Sequence, residues 1–432
     1  MKNTGSSPRK RRLALAFLAA ASLTAACGPA SPGSAPPSSL PVSTPGDTSS
    51  EGEGYVNISL GEAQDSQPGL YVENGVVLLA GRPFYGIGTN YYDAAFRHVT
   101  APMDGDIETG IANVASYEYP YIRARFSSWG GEGMYFFWED RKTFFAGMDR
   151  MVALCEEYQI GIIASLVWTP LPYMTEGQTW GDFLGNPDAE GYRQMLEYIE
   201  AVVTRYKHSP AIWGWEVGNE FNLACDVDDH QLGARMLAEF YQDVTARIRE
   251  WDGTGRIIAT GNSQNRHASR HLMDGQGWTP DSEEDMRFML ELYDTPQMSV
   301  TSTHVYNREQ HVGSRSGTIE EYLRLLTGFC RDMGKPLFVG EYCDDEERLS
   351  EEDSLAKFQA LHDAILANDI QLAVQWIHSR TEDAVAYPDS YWRYMMEQAK
   401  EANRGFVAGG KQDTVSYWSR MRPVAGQARS LP

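Results

Sequence analysis

Basic residues are scarce in this chain of 432 residues. Lys and Arg together number 37 against 59 Asp and Glu, which gives a formal net charge of -22 at pH 7. A protein that binds nucleic acid neutralises phosphates with a basic surface. This charge balance therefore argues against a nucleic-acid partner.

A glycine-rich phosphate loop is also missing. The first strand candidate runs into GIGTNYY, which supplies Gly86 and Gly88 but no third glycine in register. Dinucleotide-binding folds need that third glycine where the helix packs against the strand. The sequence therefore argues against a dinucleotide enzyme, and we expect no cofactor.

Metal-binding motifs are incomplete wherever they begin. His267 and His271 are four residues apart, but the glutamate of a zinc protease helix is absent between them. The acidic run 344–347 lacks the spacing and turn glycine of a calcium-binding loop. Ser350 with Asp353 instead predicts the start of a helix. We therefore expect no metal.

The most apolar stretch near the amino terminus, 13–26, is too short for a comfortable membrane span. It follows the basic residues 9–12 and ends in LTAAC, with Cys27 as the last letter. This pattern resembles a bacterial lipoprotein signal, in which Cys27 would carry the lipid. We expect residues 1–27 to be such a signal; an ordinary secretory signal cut near Ala26 is the alternative.

Residues 28–69 are rich in Pro, Ser, Gly and Thr, and later in acidic residues. Such a composition has too few apolar side chains for a core and predicts a flexible, disordered tether. We therefore expect the protein outside the cytoplasm, secreted and anchored by its lipid to the outer face of a bacterial cell membrane. The lipid anchor would be its only contact with a membrane.

Short apolar runs alternate with helical patterns beyond residue 70. A hairpin with an Asn-Gly pair is predicted first, at 70–81. The strand candidates that follow are 83–88, 119–126, 160–167, 211–218, 256–260, 299–304, 336–340 and 371–376. Amphipathic segments between them are 144–158, 187–207, 230–251, 318–333 and 350–368. Eight such strands favour a single (β/α)8 barrel, an α/β fold, and we expect residues 70–432 to form it.

Polar and aromatic side chains recur where the predicted strands end. In strand order they are Arg123 and Arg125, Trp168, Asn219 and Glu220, His304 and Tyr306, Glu341, and Trp376. Because the carboxyl ends of all barrel strands face one side, we expect these side chains to lie together. Two carboxylates on two strand ends, Glu220 and Glu341, suggest hydrolysis of a glycosidic bond.

The cysteines beyond the signal fall into two pairs. Cys225 and Cys343 each follow a glutamate-bearing strand, so we hypothesise that their loops meet and form a disulfide. Cys155 and Cys330 lie in helical patterns and are predicted to be buried thiols.

These motifs, taken in order, resemble the clan A glycoside hydrolases and, within them, glycoside hydrolase family 5, the cellulase and mannanase family. The resemblance covers 70–403 and is carried by IWGWEVGNEF, FVGEY, YIRARF, STHVY and VQWIH. The opening RPFYGIGTNYY is similar to the first strand of members that act on mannan. Trp168 and Phe221 depart from the family, in which many members have His and Pro at these positions.

The resemblance implies a retaining double displacement with Glu220 as general acid/base and Glu341 as nucleophile. It further implies that His304 orients Glu220 and that Tyr306 orients Glu341. Asn219 would bind the sugar 2-hydroxyl.

The same resemblance places Trp376 under the sugar at the cleavage point. Trp168, together with Trp129, Trp138, Trp180 and Trp278, is a further candidate for lining the cleft.

The two carboxyl groups need different pKa values for these roles. Arg123 is expected to keep Glu341 ionised by lowering its pKa, and apolar surroundings with the charge of Glu341 are expected to raise the pKa of Glu220.

The sequence thus predicts a retaining glycosidase, cellulase-like or β-mannanase-like, that acts as a monomer on polysaccharide or oligosaccharide. An exo-acting β-glucosidase or β-mannosidase is one alternative. A lipoprotein that binds oligosaccharides without cleaving them is another. Two close carboxylates argue against the binding protein, because their mutual repulsion is costly.

Overall fold

The computed structural model describes residues 67–94, 106–127, 131–225, 229–344, 350–376 and 389–421. Within these ranges the strands are β1 (Leu70–Glu73), β2 (Val76–Leu79), β3 (Arg82–Pro83), β4 (Gly86–Asn90), β5 (Tyr121–Arg125), β6 (Gly161–Val167), β7 (Ile212–Gly218), β8 (Ile257–Ala259), β9 (Thr301–Tyr306), β10 (Gln310–Val312), β11 (Arg315–Gly317), β12 (Leu337–Cys343) and β13 (Leu372–Gln375).

The α-helices of the same ranges are α1 (Asp106–Ser116), α2 (Gly131–Glu139), α3 (Arg141–Tyr158), α4 (Trp180–Leu184), α5 (Glu190–Tyr206), α6 (Ala234–Asp252), α7 (Ser269–Met273), α8 (Glu283–Tyr293), α9 (Ile319–Met333), α10 (Glu351–Ala367), α11 (Asp389–Ala408) and α12 (Thr414–Met421). Short 3-10 helices occupy Leu171–Tyr173 and Phe221–Ala224.

Eight parallel strands form one sheet in the order β8-β7-β6-β5-β4-β13-β12-β9. The apolar runs in β6 and β7 are buried along their whole length, as expected for parallel strands covered by helices on one side and core on the other. The two outer strands, β8 and β9, are joined by a backbone bond from Ser299 N to Ile258 O of 3.2 Å. Their hydroxyls also meet, since Thr260 Oγ1 lies 2.8 Å from Ser302 Oγ. The predicted (β/α)8 barrel is confirmed.

The amino-terminal hairpin is confirmed as well. β1 and β2 pair antiparallel around Asn74 and Gly75, both of which have positive φ angles. Gln371, just before β13, accepts from Val77 N at 2.9 Å and so ties the hairpin to the amino-terminal end of the barrel. This end lies opposite the carboxyl ends of the strands, so the hairpin leaves the predicted site uncovered.

Helix starts follow local sequence signals. Ser282 and Thr318 form capping boxes with acidic residues at the third helical position of α8 and α9. Ser350 accepts from Asp353 N at the start of α10, which confirms the predicted cap.

Most predicted strands match the structure within a few residues, but 83–88 is divided. Arg82–Pro83 is the third strand of the amino-terminal hairpin, and the first barrel strand begins only at Gly86. The segment between β8 and β9 contains α7 and α8, which were not singled out from the sequence.

The hypothesis of a disulfide between Cys225 and Cys343 is wrong. Both are free and buried, and each has a local partner instead. Tyr293 Oη donates to Cys225 Sγ at 3.7 Å, and Cys343 Sγ donates to Asp344 Oδ1 at 3.0 Å. The other two cysteines, in α3 and α9, are buried free thiols as predicted.

The amino-terminal predictions concern residues outside the described ranges. The proposed signal with Cys27 and all of the tether up to residue 66 belong there, as does Trp129. Among the helices that the structure does describe, none has the length and apolar character that a membrane crossing requires.

Candidate active site

Glu220 and Glu341 come from separate barrel strands and meet around one imidazole. His304 Nδ1, on β9, lies 2.9 Å from Glu220 Oε1 and 3.6 Å from Glu341 Oε2. One oxygen of each carboxylate and a nitrogen of this imidazole lie within 4.8 Å of one another. The side chain of Glu341 is 3% exposed and that of Glu220 is 20% exposed. The two carboxylates therefore form a close pair, with Glu220 nearer to solvent.

The backbone of Glu220 adopts an unusual conformation for a residue with a side chain. Its φ and ψ are 55° and 31°, in the left-handed region, at the turn between β7 and the 3-10 helix Phe221–Ala224. Glu220 N donates to Gly261 O at 2.8 Å, which anchors this turn to the neighbouring strand end. Strained backbone of this kind persists only where the surrounding structure holds it, and it is frequent at functional sites.

Arg123, on β5, connects most of the site and is fully buried. Its Nη1 lies 2.6 Å from Glu341 Oε1, and its Nη2 donates to Asn219 Oδ1 at 2.8 Å. Asn90 Oδ1 accepts from Nη1 at 3.0 Å. Arg123 thereby fixes the positions of the predicted nucleophile and of the predicted sugar-binding amide together.

Glu216 is a second carboxylate that helps to neutralise the positive charge of Arg123, and it was not predicted from the sequence. It lies inside β7, completely buried, and both of its carboxylate oxygens accept from the guanidinium at 2.6–3.0 Å. A charged residue in the otherwise apolar run IWGWEVG was the signal that could have found it, since buried charges need partners.

Tyr306 also reaches the glutamates, whereas the guanidinium carbon of Arg125 stands 5.4 Å from the ring of Tyr92. Tyr306 Oη donates to Glu341 Oε2 at 2.8 Å, so both oxygens of this carboxylate accept a hydrogen bond from a protein side chain. A Cβ at Gly340 would stand 2.9 Å from His304 Nε2, so the ring packs closely over this glycine. The strand that carries Glu341 therefore also sets the position of His304.

A cluster of aromatic side chains lies beside Arg123. Tyr92, which sequence reasoning missed, lies between Trp168 and Trp376 with ring centroids 6.1 and 5.6 Å away. Trp168 is buried, and the guanidinium carbon of Arg123 stands 5.0 Å from its ring. Tyr92 and Trp376 are partly exposed and form the accessible part of this surface.

The other cleft candidates among the described residues have different surroundings. Trp138 packs edge-on against Phe137. Trp180 packs edge-on against Phe221, the residue at the position where many family members have proline. Trp278 is 59% exposed.

The pKa values of the two glutamates are ordered opposite to the prediction. Burial raises the pKa of Glu341, and the charges of His304 and Arg123 only partly oppose this rise. Burial also acts to raise the pKa of Glu220, but the hydrogen bond and charge of His304, together with Ser263 and Arg123, hold that pKa below its ordinary value. The physical reason is that Glu341 is more deeply buried while His304 bonds to Glu220.

Within the described ranges, two clusters have the composition of a metal site. In the first, Glu220, His304 and Glu341, the guanidinium of Arg123 already lies against Glu341, and its positive charge disfavours a cation there. In the second, which includes His271 and Asp281, the imidazole Nδ1 lies 2.7 Å from the carboxylate.

The chain belongs to glycosyl hydrolase family 5, because the family model named cellulase (glycosyl hydrolase family 5) matches residues 100–376. The family predicted from the motifs is therefore confirmed.

Mannan endo-1,4-beta-mannosidase F of Aspergillus clavatus is 24% identical over 196 residues, which are 45% of this chain and 41% of that protein. The protein of the same name from Aspergillus fumigatus is 26% identical over 149 residues, 34% of this chain and 30% of that protein. The chain thus spans less than half the length of these relatives.

Solved structures share the fold. The endo-1,4-beta-mannanase from Rhizomucor miehei has a TM-score of 0.58 at 17% identity, covering 78% of this chain and 99% of that one. An exo-beta-1,4-mannosidase from Opitutaceae bacterium strain TAV5 has a TM-score of 0.53 at 15% identity, covering 78% of this chain and 61% of that one. At such identities the likeness concerns the barrel alone.

Proposed function

We propose that this protein is a retaining β-glycosidase that hydrolyses β-linked glycans, with β-1,4-mannan as the first substrate to test. The observation that carries the proposal is the close pair of Glu220 and Glu341, whose oxygens both lie within reach of His304 Nδ1. Retaining glycosidases hold their two carboxyl groups about 5–5.5 Å apart, whereas inverting ones leave about 6.5–9.5 Å for a water molecule. The spacing here favours retention.

Glu341 is suited to be the nucleophile. Arg123 and Tyr306 donate to its two oxygens, and these donors hold the carboxylate in one orientation and stabilise its charge. In the first step one oxygen bonds to the anomeric carbon while the bond from that carbon to the leaving oxygen breaks. The product of this step is a glycosyl ester on Glu341.

Glu220 is suited to be the acid and then the base. It is more exposed than Glu341, and it gives its proton to the leaving oxygen in the first step. The charge on Glu341 disappears when the ester forms, so the carboxylate of Glu220 can next take a proton from water. That water attacks the anomeric carbon and releases the sugar with its original anomeric configuration.

The proton needed for the first step is shared between two coupled groups. Burial favours a proton on Glu341, and His304 favours a charge on Glu220. The active form, with the proton on Glu220, is therefore a minor microstate of the singly protonated pair in the unliganded protein. A bound sugar that covers Glu220 would raise its pKa by excluding water and so favour the active form.

Asn219 and the aromatic surface would hold the sugar at the cleavage point. The Asn219 Oδ1 accepts from Arg123, which leaves its amide nitrogen to donate to the sugar 2-hydroxyl. The partly exposed rings of Tyr92 and Trp376 offer apolar faces to the sugar ring.

Mannan is the first substrate to test because the relatives carry the name mannan endo-1,4-beta-mannosidase, although each is matched over less than half its length. Cellulose remains a second candidate, since the family model is named cellulase. The exo-acting alternative shares only its barrel with a solved exo-beta-1,4-mannosidase. Lipid attachment at Cys27 and an extracytoplasmic location complete the proposal and rest on the sequence motif alone.

Hydrolysis of mannan, cellulose, xylan and aryl β-glycosides tests the activity and selects the substrate. Proton NMR of the first product should show the β-anomer, and an α-anomer would show inversion. Glu341→Ala should lose activity by several orders of magnitude, and unchanged turnover would disprove the mechanism. A protein that binds these glycans without cleaving any of them would be the oligosaccharide-binding alternative.

A further inference from the structure

Backbone hydrogen bonds hold the loop that carries Glu220 to the carboxyl end of β8. Gly218 N donates to Thr260 O at 3.1 Å, and Glu220 N donates to Gly261 O at 2.8 Å. A Cβ at Gly261 would stand 1.9 Å from Gly218 O, so only glycine permits this close approach. The loops after β7 and β8 therefore pack as one unit.

The side chain of Asn222 extends this contact between the two loops. Its Oδ1 accepts from Ser263 N at 2.9 Å, and its Nδ2 donates to Ser263 O at 2.9 Å. The same Nδ2 also donates to Asn265 Oδ1 at 3.1 Å. Asn222 and Ser263 are both buried. One amide thus binds the backbone of Ser263 in both directions, and we call this pair of bonds the Asn222–Ser263 clamp.

The residue held by the clamp also bonds to Glu220. The Ser263 hydroxyl donates to the Glu220 carboxylate from the loop after β8, whereas His304 approaches the same carboxylate from β9. Burial acts to raise the pKa of Glu220, and these two bonds, with the charges of His304 and Arg123, hold it below its ordinary value. Two partners on different barrel segments thereby fix the orientation of the carboxyl group.

The left-handed backbone of Glu220 needs such support. A φ of 55° is strained for a residue with a side chain and persists only where the surroundings hold it. Phe221 does not restrict the backbone of Glu220 as a proline at that position would. The bonds from Glu220 N to Gly261 and from Asn222 to Ser263 supply the restraint on the two sides of Phe221.

We propose that Asn222 and Ser263 are positioning residues for proton transfer by Glu220. This rests on the proposed function, in which Glu220 protonates the leaving oxygen and later takes a proton from water. Asn222 acts through Ser263, whose hydroxyl keeps the carboxyl group of Glu220 directed at the leaving oxygen. Cleavage of a substrate that needs a proton on its leaving group therefore depends on the clamp, and cleavage of one that needs no proton does not.

Two substrates that differ in their need for the proton provide the test. They are the phenyl and the 2,4-dinitrophenyl β-glycosides of the disaccharide, mannobiose or cellobiose, that the wild-type enzyme hydrolyses faster. Dinitrophenolate leaves as a stable anion, whereas phenol, with a pKa of about 10 like that of tyrosine, leaves well only when it receives a proton.

The measured quantity is the ratio of kcat/KM for the phenyl glycoside to kcat/KM for the dinitrophenyl glycoside. General acid catalysis contributes about 100- to 10,000-fold to a rate, so partial loss of alignment in Asn222→Ala or Ser263→Ala should lower this ratio roughly 10-fold. Ser263→Ala removes only the hydroxyl and keeps the backbone bonds, so it decides the question even if Asn222→Ala unfolds the protein.

Each variant has a matched control elsewhere in the barrel. Asn403 also binds a backbone in both directions, that of Ile87, at 2.9 and 3.0 Å. Ser209 Oγ, just before β7, donates to Glu156 Oε1 at 2.8 Å. Asn403→Ala and Ser209→Ala should keep the wild-type ratio, whatever they do to stability. A ratio that neither clamp variant lowers, or that the controls lower equally, would overturn the proposal and leave the proposed function standing.

The apparent pKa of Glu220 tests the clamp without a substrate. Ser263→Ala should raise it, because the carboxylate loses a hydrogen bond that stabilises its charge, and Ser209→Ala should leave it unchanged. Carbon-13 NMR titration of protein labelled at the glutamate carboxyl groups measures this pKa, and Glu220→Gln assigns the resonance. An unchanged pKa in Ser263→Ala would overturn the clamp even if the wild-type protein hydrolyses no glycan, a result that by itself refutes only the proposed function.

Discussion

The Nη1 of Arg123 lies 2.6 Å from Oε1 of Glu341, and both side chains are almost completely buried. The same guanidinium bonds to Glu216 on β7 and to Asn219. One cation therefore sets the geometry of the proposed nucleophile, of a buried counter-ion and of the proposed sugar-binding amide. The mechanism can be disturbed through any of these contacts.

Replacing Glu216 with Gln should destabilise the protein strongly. The change leaves Arg123 buried with one carboxylate fewer, and breaking a buried ion pair typically costs about 3–5 kcal/mol. Urea unfolding should show this loss, and kcat/KM should fall because Arg123 no longer holds Glu341 and Asn219 in place. Asp413→Asn is the control: its partner Arg82 is 60% exposed, so this change should cost less than about 1 kcal/mol. Equal stability losses in the two variants would contradict the prediction.

Tyr306→Phe should lower kcat without unfolding the protein. It removes the hydrogen bond to Glu341 Oε2, and a hydrogen bond to a charged group contributes about 1.5–3 kcal/mol, or roughly a 10- to 100-fold change in rate. Tyr85→Phe removes a comparable bond to Asp369 in an exposed position and should leave kcat unchanged. Steady-state kinetics on one substrate compares the two variants, and a Tyr306→Phe enzyme as fast as wild type would exclude the role of Tyr306.

His304→Gln should move both limbs of the pH profile of kcat/KM to higher pH. The charge of His304 lowers the pKa of Glu341, and its hydrogen bond and charge lower the pKa of Glu220. Without the imidazole both pKa values rise. The two limbs report the two macroscopic pKa values of the coupled pair, and because both glutamates then hold their protons to a higher pH, both limbs move to higher pH.

The profile of kcat/KM measured from pH 3 to pH 9 checks this prediction for the wild type and the variant. Movement of either limb to lower pH would show that His304 does not stabilise the charged glutamates.

Reducing agent should not change the stability of the folded domain. Cys155, Cys225, Cys330 and Cys343 are all free in the structure. Alkylation after unfolding without reductant, followed by mass spectrometry, should label all four. An unlabelled pair at Cys225 and Cys343 would restore the disulfide hypothesis.

Several parts of the fold and site could be predicted from local sequence. The hairpin has its Asn-Gly turn, α9 and α10 have their caps, and the barrel strands are apolar runs of the expected length. The predictions placed Glu220 and Glu341 at strand ends, and the structure brings these two residues together. Each of these features depends on neighbouring residues or on the strand order of a known fold.

The relations between distant residues could not be predicted. Glu216 pairs with Arg123 across 93 positions. Tyr92, which follows the first barrel strand, packs against Trp376, which follows the last. The order of the glutamate pKa values depends on depth of burial and on which carboxylate His304 approaches, and neither is a local property. Whether Cys225 and Cys343 meet is also a tertiary property. In the structure Cys225 contacts Tyr293 and Cys343 contacts Asp344.

The sequence by itself determined the kind of barrel, the family and the two carboxylates, because hydrophobic periodicity and the order of the motifs are properties of the sequence alone. Only the tertiary structure decided that Arg123 is shared by Glu216, Glu341 and Asn219, and that His304 lies nearer to Glu220 than to Glu341. These follow from distances between side chains on different strands, and such distances exist only once the barrel has formed.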